Sequence, residues 1–290
     1  MAEKVLEKSR ITIIGAGAMG RAIIHTLTGS GEIDPGNVVA SDPVPEQREL
    51  LSERYGVRVS ANNKEAMKNA DVVVIAVKPQ VLPHVMTELN GSIPQNALVF
   101  SIVAGMPIKT MRLGFDHEAI IRAMPNTPAQ IGEGMTVWTA SSAVTESHFA
   151  QARTILTAMG KELYVEEEGE LDMATAVSGT GPTYVFLLME ALVDAAVHLG
   201  FSRRDARELV IQTVEGSVKY AAQSDQHLAR MRNLVTSPGG TSAEAIYQLE
   251  KGGMRTVLSK AVWAAYQKSR LLGERAEDPL EAPLHIDSEG

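Results

Sequence analysis

Apolar residues come in short runs through the first 165 positions and in long, helix-spaced stretches after them. Ile11–Ile14, Val38–Ser41, 71–77, 98–102 and 119–124 are brief and rich in Val and Ile. That is the pattern of strands buried on both faces of a parallel sheet. Helical spacing alternates with them, at 21–28, from near Pro45, and at 145–159. Segments 136–139 and 161–165 read as two closing strands around that last helix. Such alternation predicts an α/β, Rossmann-type N-terminal domain with a mostly parallel sheet. The acidic run 166–170 marks the junction, and no strand pattern follows Val165.

The second half is helical throughout. Stretch 172–200 contains no Lys or Arg, and past Pro182 only Glu190, Asp194 and His198 interrupt its apolar surface. A helix apolar on nearly every face belongs in a large core or between subunits. Two glycines and a proline in the first half of the stretch and two carboxylates in its second half argue against a membrane span. It reads as one long helix loosened at 178–182. A further helix is predicted from the N-cap Ser202 toward Gln223, followed by a short one, then 243–250 and 254–272. The expected division is 1–168 for the dinucleotide-binding domain, 169–275 for an all-helical dimerisation and substrate domain, and 276–290 for an acidic tail.

The chemistry begins at Gly15-Ala16-Gly17-Ala18-Met19-Gly20, directly after the first strand and before the first helix. This is the context a dinucleotide fingerprint requires. Gly15 permits the tight turn, Gly17 lets a pyrophosphate reach the backbone, and Gly20 lets helix and strand pack closely. Ser41 and Asp42 end the second strand, about 20 residues on, where an acid holds a ribose 2′-hydroxyl. Asp42 would repel a 2′-phosphate and favours NADH, while nearby Arg48 keeps NADPH open. Asp42-Pro43 also reads as a turn or a helix cap. Lys78-Pro79, the loop 103–105 and the loop 125–128 lie at the carboxyl ends of strands, where doubly wound folds bind ligands. Lys78 also fits a solvated helix start, and Asn126 fits either a nicotinamide contact or a turn.

A second chemical stretch is 236–242. Gly239-Gly240 frees the backbone to aim successive N–H groups one way, with a helix start behind it and the hydroxyls of Thr241 and Ser242 at the rim. That makes an anion nest for a carboxylate or phosphate. Thr241-Ser242-Ala243-Glu244 equally matches a capping box.

Composition narrows the class. The net charge is −8 without a basic block, unlike a nucleic-acid binder. There is no cysteine, so no disulfide framework or thiolate site. Seven histidines show no close helical pair, and no metal site is expected. The polar start MAEKVLEKSR carries no apolar signal segment, and a cytoplasmic protein is expected.

Taken together, ITIIGAGAMG, AVKP (76–79), SIVAGM (101–106), RAMPNTP (122–128), SGTGPTYVF (178–186), DAAVHLG (194–200) and VTSPGGTS (235–242) resemble the pyrroline-5-carboxylate reductase family, in the family's order. The resemblance implies hydride transfer from NADPH or NADH to 1-pyrroline-5-carboxylate, giving L-proline. It also implies a homodimer or larger homo-oligomer with a site between the cofactor cleft and helices supplied partly by a second subunit. By position, the glycine loop, Asn63, Ala76, Val77, Lys78, Pro79, Val103 and Ala104 would line the cofactor. Gly239, Gly240, Thr241 and Ser242 would hold the substrate carboxylate, and Asp225 falls where some members carry an acid. Ser242 stands where the family usually has a threonine whose hydroxyl meets the ring nitrogen. SGTGPTY departs from the commoner SGSGPAY, and Asp42 from the small or basic residue of NADP-preferring members. No Lys occurs between Lys161 and Arg203, whereas related 3-hydroxy-acid dehydrogenases place a proton-transferring Lys on such a helix. An imine needs positioning more than a strong acid. A broader cyclic-imine reductase and a non-catalytic nucleotide sensor are the rival readings.

Overall fold

The computed structural model describes residues 4–277. Its elements run β1 (Ile11–Ile14), α1 (Ala18–Gly29), β2 (Val38–Ser41), α2 (Pro45–Tyr55), β3 (Arg58–Ser60), α3 (Asn63–Ala66), β4 (Val72–Ile75) and α4 (Leu82–Leu89). Then follow β5 (Leu98–Ser101), α5 (Ile108–Phe115), β6 (Ile120–Met124), β7 (Gly134–Ala140), α6 (Glu146–Met159) and β8 (Gly160–Tyr164). The helical part comprises α7 (Glu170–Ala174), α8 (Gly181–His198), α9 (Arg203–Ala222), α10 (Leu228–Leu234), α11 (Thr241–Lys251) and α12 (Met254–Glu277). Of the expected tail 276–290, everything past Glu277 lies outside the described residues.

Eight strands form one sheet in the order β3-β2-β1-β4-β5-β6-β7-β8. The first six strands in this order, β3 to β6, run parallel; β7 is antiparallel to β6, and β8 is parallel to β7. Every residue of β1, β4 and β5 is buried, as their unbroken apolar runs require for central strands covered on both faces. Ile14 pairs with both Ser41 and Ile75, and Ile75 pairs with Ser101. The carboxyl ends of β1, β2, β4 and β5 therefore finish level, on one edge where the glycine loop and the loops after β4 and β5 begin. The strand β3 gave no sequence signal: it has three residues, none of them buried, and pairs with β2 alone.

The chain divides into two compact units, one of residues 4–180 with 265–277 and one of 181–264. In the first, α7 enters a π-helical turn at Thr175–Gly179, where the Thr180 amide donates to the Thr175 carbonyl at 2.8 Å. The loosening expected at 178–182 thus lies three residues earlier. Pro182 explains both. It has no N–H to give the Ser178 carbonyl, and the Asn126 amide nitrogen donates there instead, at 3.1 Å. In the second unit, α9 starts at the Ser202 cap, which accepts from the Asp205 amide, and runs to the Gln223 C-cap. None of the 18 residues of α8 is buried within the chain; Phe186 and Leu187 are more than half exposed.

A buried cation organises the first unit. The Arg122 side chain, on β6, is 7% exposed and bonds the Glu168 carboxylate at 2.8 Å, with Asp172 of α7 at 3.7 Å. Glu168 also accepts from the Ile108 amide, which opens α5, and Asp172 accepts from the Ser269 hydroxyl on α12. Breaking a buried pair costs more than the pair gains, because it strands the partners' charge. Replacing Arg122 with Ala is expected to destabilise the protein by about 3 kcal/mol, since Glu168 is partly solvated. Urea denaturation of the two proteins checks this, and coincident transitions would contradict it.

Candidate functional site

The nucleotide half of the site is built at the level edge of β1, β2 and β4. Gly15 has φ +99°, and its amide donates to the Ser41 carbonyl at 2.8 Å. A Cβ there would sit 2.8 Å from the Ala76 carbonyl oxygen. At Gly20 a Cβ would lie 2.1 Å from the Gly15 oxygen, so helix α1 can approach the loop only without a side chain. A Cβ on Gly17, by contrast, would meet nothing within 4 Å. The loop is therefore crowded beneath and open at the cap of α1, where first-turn amides favour an anion. This cradle fits the pyrophosphate of a dinucleotide.

Asp42 follows β2. Its carboxylate accepts from the Ala16 amide at 2.8 Å and from the Val44 amide at 2.9 Å. The turn reading and the position beside the glycine loop are thus both realised in one side chain. Arg48 donates to the carbonyls of Asp42 and Pro43, at 2.7 and 2.9 Å. Its guanidinium braces the turn. The Ser41 hydroxyl, on a residue 1% exposed, donates to the Asn63 Oδ1 at 2.7 Å, and the Asn63 Nδ2 donates to Glu88 at 2.7 Å.

The remaining predicted positions fall along the same edge. Ala76 and Val77 follow β4 half-buried, and its amide ties Ala76 to the Ile14 carbonyl. Lys78 is exposed and, with Pro79, begins the turn into α4 through the bonds Val81 N–H to Lys78 and Leu82 N–H to Pro79. Val103 is a core side chain, 2% exposed, whose amide donates to the Ser101 hydroxyl; Ala104 is half-buried beside it. Asn126 spends its side chain on protein: Oδ1 accepts from the Met135 amide and Nδ2 donates to Ser178. Ala18 and Met19 open α1, and Met19 packs against the core.

The second unit carries the predicted anion nest. Ser237-Pro238-Gly239-Gly240 forms a turn closed by the Gly240 amide on the Ser237 carbonyl at 3.0 Å, with Gly239 at φ +70°. Proline second and glycine third are what a type II turn demands. The cap of α11 is Gly240, with no side-chain bond to the first turn. The expected capping box is not formed: the helix starts one residue too early, leaving Thr241 in its first turn rather than at the cap. The amides of Thr241 and Ser242 are first-turn donors, which helix geometry leaves without an intrahelical acceptor. Asp225 is exposed on the connection between α9 and α10.

Two charged residues of consequence escaped the sequence reading. Glu88 lies in the apolar pattern of α4, and Arg122 inside a strand. Glu88 lies outside every motif and Arg122 only begins the RAMPNTP stretch, so the fold alone reveals their partners. Among the described residues, no three His, Asp or Glu side chains group as a metal ion would need.

Known proteins share this arrangement. The family described as pyrroline-5-carboxylate reductase dimerisation matches residues 168–272, and the family of coenzyme F420-dependent NADP oxidoreductases matches residues 10–105. A pyrroline-5-carboxylate reductase from Synechocystis is 41% identical over 266 residues, covering 92% of this chain and 99% of the relative. The Escherichia coli protein of the same name is 35% identical, with 92% and 99% covered. Among solved structures, a pyrroline carboxylate reductase from Plasmodium falciparum with NADP bound superposes with a TM-score of 0.85 at 30% identity, covering 92% of this chain and 99% of that one. The Coxiella burnetii pyrroline-5-carboxylate reductase gives 0.84 at 35% identity, with the same coverage.

Proposed function

The chain belongs to the pyrroline-5-carboxylate reductase family, which reduces the C=N bond of 1-pyrroline-5-carboxylate to L-proline with NAD(P)H, and we propose that it does so through an amide nest and a nucleotide pocket set for NADH. The observation that carries the reading is the pairing of a crowded glycine cradle with an uncapped, glycine-led helix start on one chain. The functional division is 1–168 for the nucleotide and 169–275 for substrate and assembly.

The bound reduced nicotinamide supplies the hydride. This chain's residues bind and orient. The cradle Gly15, Ala16, Gly17, Ala18, Met19 and Gly20 holds the pyrophosphate at the start of α1, through the amides from Gly17 to Gly20, while the Gly15 and Ala16 amides stay on Ser41 and Asp42. Ser41, Asp42, Asn63, Ala76, Val77, Lys78, Pro79 and Ala104 line the rest of that pocket, and Val103, buried, and Asn126, bonded to protein, support it from behind. Gly239, Gly240, Thr241 and Ser242 anchor the substrate carboxylate with first-turn amides. The Ser242 hydroxyl hydrogen-bonds the ring nitrogen as its charge changes during reduction, with Thr241 beside it and Asp225 contributing an acid at the substrate side. A protonated imine already draws a hydride, so orientation outweighs acid strength. That agrees with a chain lacking Lys between Lys161 and Arg203.

NADH preference rests on Asp42. Two backbone amides fix its carboxylate at the end of β2, and Arg48 is committed to the turn's carbonyls rather than held out for a phosphate. A 2′-phosphate would bring like charge against a fixed carboxylate. A relative is known with NADP bound, and the Asp42 turn is the feature of this chain that argues for NADH. We read the exposed α8 as the surface covered by a second copy, in a dimer or larger assembly, since the dimerisation family spans it and the chain leaves it bare. By length and composition alone the span Glu170–His198 would suffice to cross a membrane, but its π turn and its four carboxylates, Glu170, Asp172, Glu190 and Asp194, suit an interface of a cytoplasmic enzyme.

Three measurements test this reading. Ser242→Ala is expected to lower kcat/KM for 1-pyrroline-5-carboxylate by about 10²-fold with cofactor binding retained; an unchanged value would remove the hydroxyl from the mechanism. Parallel assays should give a kcat/KM at least about tenfold higher with NADH than with NADPH, a margin of about 1.4 kcal/mol. Asp42→Ser should narrow that margin; a native preference for NADPH would sink the Asp42 argument. Light scattering at micromolar concentration should report a dimer or larger, and a monomer would contradict the interface assigned to α8.

A further inference from the structure

Glu88 sits outside every motif, yet it ends a chain of hydrogen bonds that starts at the nucleotide edge. Ser41, the last residue of β2, gives its carbonyl to Gly15 and its hydroxyl to Asn63. Asn63 opens α3, whose backbone is fixed by the Asn62 side chain accepting from the Glu65 amide. Its amide group then reaches Glu88 on α4. A carboxylate only accepts, so the Asn63 nitrogen must face Glu88 and its oxygen must face the Ser41 hydroxyl. The orientation of this amide is thus settled by charge rather than by shape. The bond to Glu88 is charge-assisted, the stronger kind. One N–H of Asn63 is left over for a ligand.

We propose that Glu88 is a positioning residue for the cofactor: by holding the Asn63 amide in this one orientation, it presents the remaining Asn63 N–H to the adenosine half of the bound dinucleotide. This rests on the assignment of the glycine edge as the nucleotide pocket. Without Glu88, the amide is free to turn over and to offer its oxygen where a donor is needed. A glutamine at 88 would keep a carbonyl acceptor at the same reach, where it can still receive the Asn63 N–H. The ring that reacts is at the other end of the dinucleotide, so the effect belongs to binding and not to the hydride step.

The test compares wild type, Glu88→Ala and Glu88→Gln. NADH binding is followed by fluorescence titration, turnover of 1-pyrroline-5-carboxylate at saturating NADH by absorbance, and apo stability by thermal melting. Glu88→Ala is expected to weaken NADH binding about 5- to 10-fold, the loss of one oriented hydrogen bond, with kcat within about twofold of wild type. Glu88→Gln should bind within about twofold of wild type. Unchanged binding in Glu88→Ala overturns the proposal, as does equal loss in both variants, or a fall in kcat and melting midpoint that accompanies the loss of binding. Wild type that neither binds nor turns over with NADH or NADPH would instead overturn the underlying assignment of the pocket, whatever the variants do.

Discussion

The buried guanidinium of Arg122 is the constraint on which the first unit depends. A lone cation in an apolar sheet is costly, and two carboxylates answer it from outside the sheet, Glu168 ahead of α7 and Asp172 within it. Each carboxylate then recruits another element, Glu168 the start of α5 and Asp172 the α12 hydroxyl of Ser269. The chain leaves this unit after residue 180 and returns at 265. One charge therefore fastens the segment before departure and the segment after return to the same strand. Gly105 adds a steric condition. A Cβ there would stand 2.8 Å from Leu272, so α12 settles against the loop after β5 only where no side chain intervenes.

With that frame set, the nucleotide edge follows from register. Because β1, β2, β4 and β5 end together, loops distant in sequence start at one height. Their main chains then knit: Gly15 to Ser41, Ala76 to Ile14, Ile102 to Ile75. Side chains close the remaining valences, Asp42 on Ala16 and Arg48 on the Asp42 turn. The pocket's polar groups are mostly engaged with each other, which holds them still and narrows what a ligand can displace.

The parallel strands were legible because burial on both faces leaves an unbroken apolar signature, as in the Val72–Ile75 run. The glycine loop was legible because three backbone demands coincide at fixed spacing. Boundaries were less so. The capping box at Thr241 satisfied a local rule, but the preceding Pro-Gly-Gly turn delivers helical geometry one residue sooner, and local pattern cannot see that competition. The three-residue β3 is too short for any period to register. The π turn was displaced from Pro182 because the missing donor is felt at the Ser178 carbonyl, one helical turn earlier. Arg122 and Glu88 carried no local signal, since each is defined by a partner far along the chain.

That Ser178 carbonyl has a wider meaning. Within an ordinary helix, a carbonyl finds its donor one turn ahead, and the bond survives any rigid movement of the helix. Here the donor is Asn126, rooted at the end of β6 and itself fixed by the Met135 amide. The bond consequently records a position rather than a conformation. Should the π turn slide along the sheet by even one residue, a carbonyl with no alternative donor would be stranded, at a cost of about 1 kcal/mol or more. Proline at 182 thus turns an internal helix bond into a gauge, one that reads the placement of the turn against the strand.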